Sequence, residues 1–195
     1  MADPCRPRGS EVALQPDNAQ NCSPQTIGLE PQETNPSTQS GRVFQINASN
    51  GGVPKLPLHK AEVTFLGLAE DRQAHPEYHG GPERAVCLYS LERILALQAE
   101  GHSIFPGSIG ENLTLTGLDW ETISPGLQIR LGEEVLLEIT HYTPPCKNIA
   151  SSFARQEFAR VSQKKHPGWS RVYARVLHPG RIQTGDPVML LESKS

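Results

Sequence analysis

The sequence predicts a mainly β (α+β) fold, an antiparallel β-barrel carrying a few inserted helices, and three observations predict it. From Gly41 onward, short apolar stretches are punctuated by Gly, Pro and Asn, the pattern of many short strands. In the longer stretches apolar residues recur at every second position, so each strand has one buried face. Only two stretches change to helical spacing, and strand-turn-strand runs with isolated helices point to a barrel rather than a doubly wound sheet.

In chain order the predicted strands are GRVFQINAS, AEVTFLG, RAVCLYS, NLTLTG, QIRLG, EVLLEITHY, SRVYARVLH and PVMLL. In EVLLEITHY, Val135, Leu137 and Ile139 form one face and Leu136, Glu138 and Thr140 the other. In SRVYARVLH, Val172, Ala174 and Val176 alternate with Arg171, Tyr173 and Arg175. The first helix is SLERILALQAEG, where Leu91, Ile94, Leu95 and Gln98 share a face between a Ser cap and Gly101. The second is KNIASSFARQEFARVSQKK.

The 195 residues suit one domain with one core. Residues 1–40 contain no Phe, Trp, Tyr or Lys but six prolines, too little apolar surface to offset ordering entropy, so they are expected to be a disordered tail ahead of a domain spanning 41–192. Arg6 and Arg8 allow a mitochondrial transit peptide, but Asp3, Glu11, Asp17, Glu30 and Glu33 oppose it.

A net charge of −3 and the absence of a dense Lys/Arg stripe argue against nucleic acid as a partner. No apolar run approaches the roughly 20 residues that cross a bilayer, and the opening residues lack a secretory signal pattern, so neither membrane insertion nor secretion is expected. Cys5, Cys22, Cys87 and Cys146 are widely and irregularly spaced, without a C-x-x-C pair or a zinc-type cluster. A disulfide framework is therefore not expected, and the chain reads as cytoplasmic, in a reducing compartment where a lone thiol stays available.

Cys146 carries the strongest chemical signal. It lies in TPPCKN just after a strand, where two prolines stiffen the approach and Lys147 adds a positive charge beside the sulfur. A nearby cation favours the thiolate, which is both nucleophile and soft metal ligand. A cysteine within a strand is by default a small core residue, and Cys87 in AVCLYS reads that way. YHGGPERA places His79 and Arg84 around a glycine turn, PGSIGENLT places Glu111 and Asn112 after another, and NGGVPKLP offers Lys55 from a third. Glycines let backbone N–H groups converge on an anion, and Arg supplies a permanently charged fork. Each turn alone is common, and a single turn histidine or lysine is more often solvated than bound.

Taken together, GRVFQINAS-NGGVPKLP, GLAEDRQ-HPEYHGGPERAVCLYS, PGSIGENLTLTGLDW and the TPPC loop resemble the MOSC family, named for the C-terminal domain of molybdenum-cofactor sulfurases, and its stand-alone YiiM-type branch in particular. The resemblance covers residues 41–192. It implies a β-barrel binding the pyranopterin molybdenum cofactor, with Cys146 as protein ligand to molybdenum and His79, Arg84 and Asn112 in the cofactor pocket. Lys55 and Lys147 are weaker carry-overs. It further implies reduction of small N-hydroxylated substrates, R-NHOH to R-NH2. No haem, flavin, nucleotide or iron–sulfur motif is present, so the electrons are expected from a separate reductase. The alternative is a non-catalytic carrier, in which Cys146 holds cofactor or a persulfide for delivery. The chain departs from the family pattern at Glu70, where Gly is usual, and in ending near Leu191, where YiiM-type proteins often continue into a helical tail.

Overall fold

The computed structural model describes residues 40–72 and 80–191, so the expected tail lies, except for Ser40, outside the described residues. Eleven strands are present: β1 Ser40–Ala48, β2 Leu56–Leu58, β3 Lys60–Thr64, β4 Gly67–Leu68, β5 Val86–Ser90, β6 Leu113–Thr116, β7 Gln128–Leu131, β8 Val135–Tyr142, β9 Val172–His178, β10 Gly180–Gln183 and β11 Pro187–Leu191. Pairing runs β11-β7-β8-β9-β5-β6-β1 and returns from β1 to β11, closing a seven-stranded barrel, with β2 added to the far half of β1. Closure leaves no open edge in the main wall. Strands β10, β3 and β4 form a separate small sheet.

The alternation seen in the sequence is the inside of this barrel. Val135, Leu137 and Ile139 are fully buried, as are Val172 and Ala174 on the neighbouring strand. They join Val43, Ile46, Leu88, Leu113, Ile129 and Val188 in one core. Pairing is antiparallel except between β5 and β6, which run parallel. A parallel pair needs a crossover, and helix α1, Leu91–Ala99, provides it. Ser90 caps α1 by accepting from the Arg93 N–H at 3.2 Å, while Ile94 and Leu97 bury its inner face.

The predicted second helix is instead a chain of short 3-10 turns, Lys147–Ser152, Ala154–Gln156 and Phe158–Val161. Ile149, Ser152 and Phe153 turn inward at helical spacing, but the next inward positions are Gln156 and Glu157, so a continuous helix would bury polar groups. The chain breaks at Phe153, which is extended, and the Ala154 N–H donates to His102 Nδ1 at 3.1 Å rather than to a helical carbonyl. AEVTFLG is likewise a hairpin of two strands, and its return needs Gly67, at φ +121°, where a Cβ would collide with the Ala85 carbonyl. Glu70 is not strained: the only non-glycine residues at positive φ among the described residues are Arg155 and Gln156. Among the described residues, no helix is long and apolar enough to cross a membrane.

Candidate functional site

A cleft of about 580 Å3 opens at the end of the barrel where β1 and β8 finish and β6 and β9 begin. That size lies within the usual range for a cofactor or small-molecule site. Cys146 reaches it because of how β8 ends. The Thr143 N–H still donates to the Arg171 carbonyl at 2.9 Å, but Pro144 and Pro145 have no N–H to continue the ladder. The Cys146 backbone stays extended, and its carbonyl accepts from the Ile149 N–H at 3.2 Å to start the next turn. Ile149 is buried, and Ser152 donates to the Ser108 carbonyl at 3.1 Å, which pins that turn to the barrel. Cys146 is left half-buried, lining the cleft. Lys147 is exposed and does not line it.

Arg84 enters from the turn Pro82–Arg84, which is held against β8 by the Thr140 hydroxyl donating to the Glu83 carbonyl at 2.6 Å. Asn112 is bound on three sides. Its N–H donates to the Cys87 carbonyl at 2.7 Å, its Oδ1 accepts from the Cys87 N–H at 3.1 Å, and its Nδ2 donates to Asp71 at 2.8 Å. Lys55 is buried and forms an ion pair with Asp71. Its backbone N–H donates to the Gly107 carbonyl at 2.9 Å, and the loops touch so closely there that a Cβ on Gly107 would collide with the Lys55 carbonyl. His79 lies outside the described residues. Of the residues singled out from the sequence, Cys146, Lys55, Arg84 and Asn112 therefore come together in one cleft.

Sequence reasoning did not single out Asp71, Arg72, His141, Arg171 or Tyr173. Asp71 accepts from Lys55, from Asn112 and from the Ser49 N–H at 2.8 Å, tying three segments of the cleft to one carboxylate. Arg171 and Tyr173 occupy the β9 face that alternation would assign to solvent, yet both are buried and line the cleft. Cys87 is buried as expected, but it also lines the cleft, 3.9 Å from the Thr143 hydroxyl.

Among the described residues, four cations, Lys55, Arg72, Arg84 and Arg171, and no carboxylate line this cleft. Lys55 is already paired with Asp71. Burial pushes the Cys87 thiol up, opposed by Arg171, and raises the Tyr173 phenol. Burial and then the charge of Arg84 lower the His141 imidazole, whose ring lies 5.2 Å from that of Tyr173. A lowered histidine is neutral at neutral pH. Val53, Ile109, Pro144, Pro145 and Ile149 add apolar surface to the same cleft.

The donor set suits a metal that arrives with its own ligands. No three His, Cys, Asp or Glu side chains among the described residues come together to hold an ion by themselves. The cleft offers instead a half-buried thiol, a soft ligand, among cations suited to an anionic organic group.

Comparison with known proteins bears on the family and the fold. The chain is 32% identical to the uncharacterized protein YflK of Bacillus subtilis over 142 residues, 72% of this chain and 63% of that one. It is 31% identical to protein YiiM of Escherichia coli over 138 residues, 68% of this chain and 60% of that one. A protein named reductase from Gibberella moniliformis is 29% identical over 177 residues, 82% of this chain but 31% of the longer protein. The chain thus spans less than two thirds of the length of each of these relatives. The crystal structure of YiiM from Geobacillus stearothermophilus shares the fold, with a TM-score of 0.61 at 24% identity, covering 78% of this chain and 75% of that one. The MOSC domain model matches residues 75–189, more than half of the sequence, and the chain belongs to the MOSC domain family.

Proposed function

We propose that this protein binds a molybdenum–pterin cofactor in the barrel-end cleft and reduces N-hydroxylated compounds, with Cys146 as the protein ligand to the metal. The observation that carries the reading is one half-buried thiol in a cleft lined, among the described residues, by four cations and no carboxylate. Membership of the MOSC family and the relative named reductase support it.

Each part of the cleft has a share in the binding. Arg84, with Arg72, supplies charge for the anionic part of the cofactor, and Asn112 and Lys55 are held in place by Asp71. Proline ends β8 so that Cys146 projects into the cleft rather than joining the wall. When bound, the cofactor supplies two-electron redox chemistry, which none of these side chains can provide. The overall change, R-NHOH + 2 e− + 2 H+ → R-NH2 + H2O, takes its electrons from a separate reductase partner. His141 faces the cleft as a neutral imidazole that can accept a proton and return it. Val53, Ile109 and Ile149 give the rest of the site apolar walls. This chemistry suits a reducing, cytoplasmic setting, where the thiol is free to bind metal.

The test is reoxidation of reduced, metal-loaded protein by an aromatic hydroxylamine, with product amine measured by chromatography. Stoichiometric amine supports the reductase. A loaded protein that releases no amine from any N-hydroxylated compound tried sinks that reading and leaves a cofactor carrier.

A further inference from the structure

Arg171 precedes β9 and is only 5% exposed, although its guanidinium cannot lose its charge. One terminal nitrogen donates to the Ile109 carbonyl, while Nε has no partner. Among the described residues no carboxylate forms an ion pair with it. A buried permanent cation without a counter-charge is unfavourable unless something else supplies the negative charge. The acid that feels Arg171, Glu111, makes no hydrogen bond or ion pair with it. Glu111 is fully buried, and burial pushes its carboxyl up, opposed by the Gly107 N–H and by Arg171. Its Oε1 accepts from the Gly107 N–H at 2.7 Å and from the Thr114 hydroxyl at 3.3 Å, and Oε2 has no partner. Gly110, at φ +87°, keeps the space beside the guanidinium open: a Cβ there would lie 3.7 Å from an Arg171 terminal nitrogen and 3.0 Å from Val53.

The geometry points to Arg171 as the residue through which the cleft takes an oxyanion of the phosphate class. The guanidinium is a planar fork that can meet two oxygens of one anion, and its own burial strengthens the contact. No metal is required for this contact, so it stands apart from the molybdenum reading. The oxyanion could be the phosphate of a bound cofactor or a free or substrate anion, and both present the same chemistry.

Calorimetric titration with inorganic phosphate separates these cases. Protein from a host unable to make the pterin cofactor is expected to bind one phosphate, and Arg155→Gln, at a surface side chain, to bind it equally. Arg171→Gln is expected to weaken binding by roughly tenfold or more, the loss of a charge-assisted contact. Arg171→Lys keeps the charge without the fork and is expected to fall between, which carries the test if the glutamine variant does not fold. Absence of phosphate binding in the parent, or undiminished binding in both Arg171 variants, overturns the assignment. In cofactor-loaded protein, loss of phosphate binding assigns the oxyanion to the cofactor, and retained binding assigns it to a free or substrate anion.

Discussion

Two depressions on this domain are alike in size and opposite in character. The barrel-end cleft measures about 580 Å3, and a groove beside the small sheet measures about 660 Å3. Glu62, Glu70, Glu133, Glu134 and Asp186 line the groove, with Lys60 and Arg181 among them. Several of these acids are already engaged locally. Glu134 accepts from the Arg181 N–H at 3.0 Å, Asp186 from the Gln183 N–H at 2.8 Å, and Glu70 from the Glu62 N–H at 3.3 Å, all on exposed surface. Such contacts are solvated and interchangeable. In the cleft, by contrast, a buried arginine has no ion-pair partner among the described residues and a thiol stands at the end of a proline-terminated strand. Volume does not separate the two; desolvated, uncompensated chemistry does.

The largest expected effect tests the thiol. Cys146→Ser should reduce N-hydroxylated-substrate turnover by about 100-fold or more, whereas Glu134→Gln in the groove should leave it unchanged. Equal losses in both would erase the distinction between the depressions.

Next comes the carboxylate that organises the cleft. Asp71→Ala leaves Lys55 buried without its partner and frees Asn112, which should cost about 3–5 kcal/mol in chemical denaturation. Glu121→Ala, which removes an exposed partner of Arg93, should cost about 1 kcal/mol or less. An Asp71 variant as stable as the parent would show that the cleft loops are held by packing alone.

Glu111 gives a smaller effect with a definite sign. A carboxyl raised above its ordinary value in the folded state contributes stability that is fully present below the unfolded value and is lost as pH rises through the folded one. Thermal melts of the parent should therefore lose stability relative to Glu111→Gln as pH rises from acid towards alkaline conditions. Parallel curves for the two proteins would mean that Glu111 titrates normally. His141 shifts the other way. Its lowered folded value gives stability that is present above the unfolded value and lost as pH falls through the folded one, so His141→Asn should soften the decline on the acid side. The smallest effect belongs to the groove, where Arg181→Gln should change stability by about 0.5 kcal/mol or less.

Much of the barrel was readable because its residues alternate. Val135, Leu137 and Ile139 had to share a face, and they form part of the core. Strands β2 and β10 escaped notice because β2 buries no residue and β10 only Ile182, so neither shows an apolar face. The second helix failed because inward spacing lasted only from Ile149 to Phe153 before polar residues took the next positions. At the site, Cys146, Arg84, Asn112 and Lys55 stood in loops with turn chemistry that could be read locally. Asp71 could not be singled out that way, since its partners Ser49, Lys55 and Asn112 come from distant segments. Arg171 was misread by the same alternation that placed the core: a residue on the outer face of a strand is solvent-exposed only where nothing covers it, and here the cleft walls cover it.

The most direct test of the account is the molybdenum and pterin content of the purified parent and of Cys146→Ser, each expressed in a host that makes the cofactor and measured by mass spectrometry. Near-stoichiometric metal and pterin in the parent, with metal lost from the variant, is the predicted result. A parent free of both from a competent host would contradict the account.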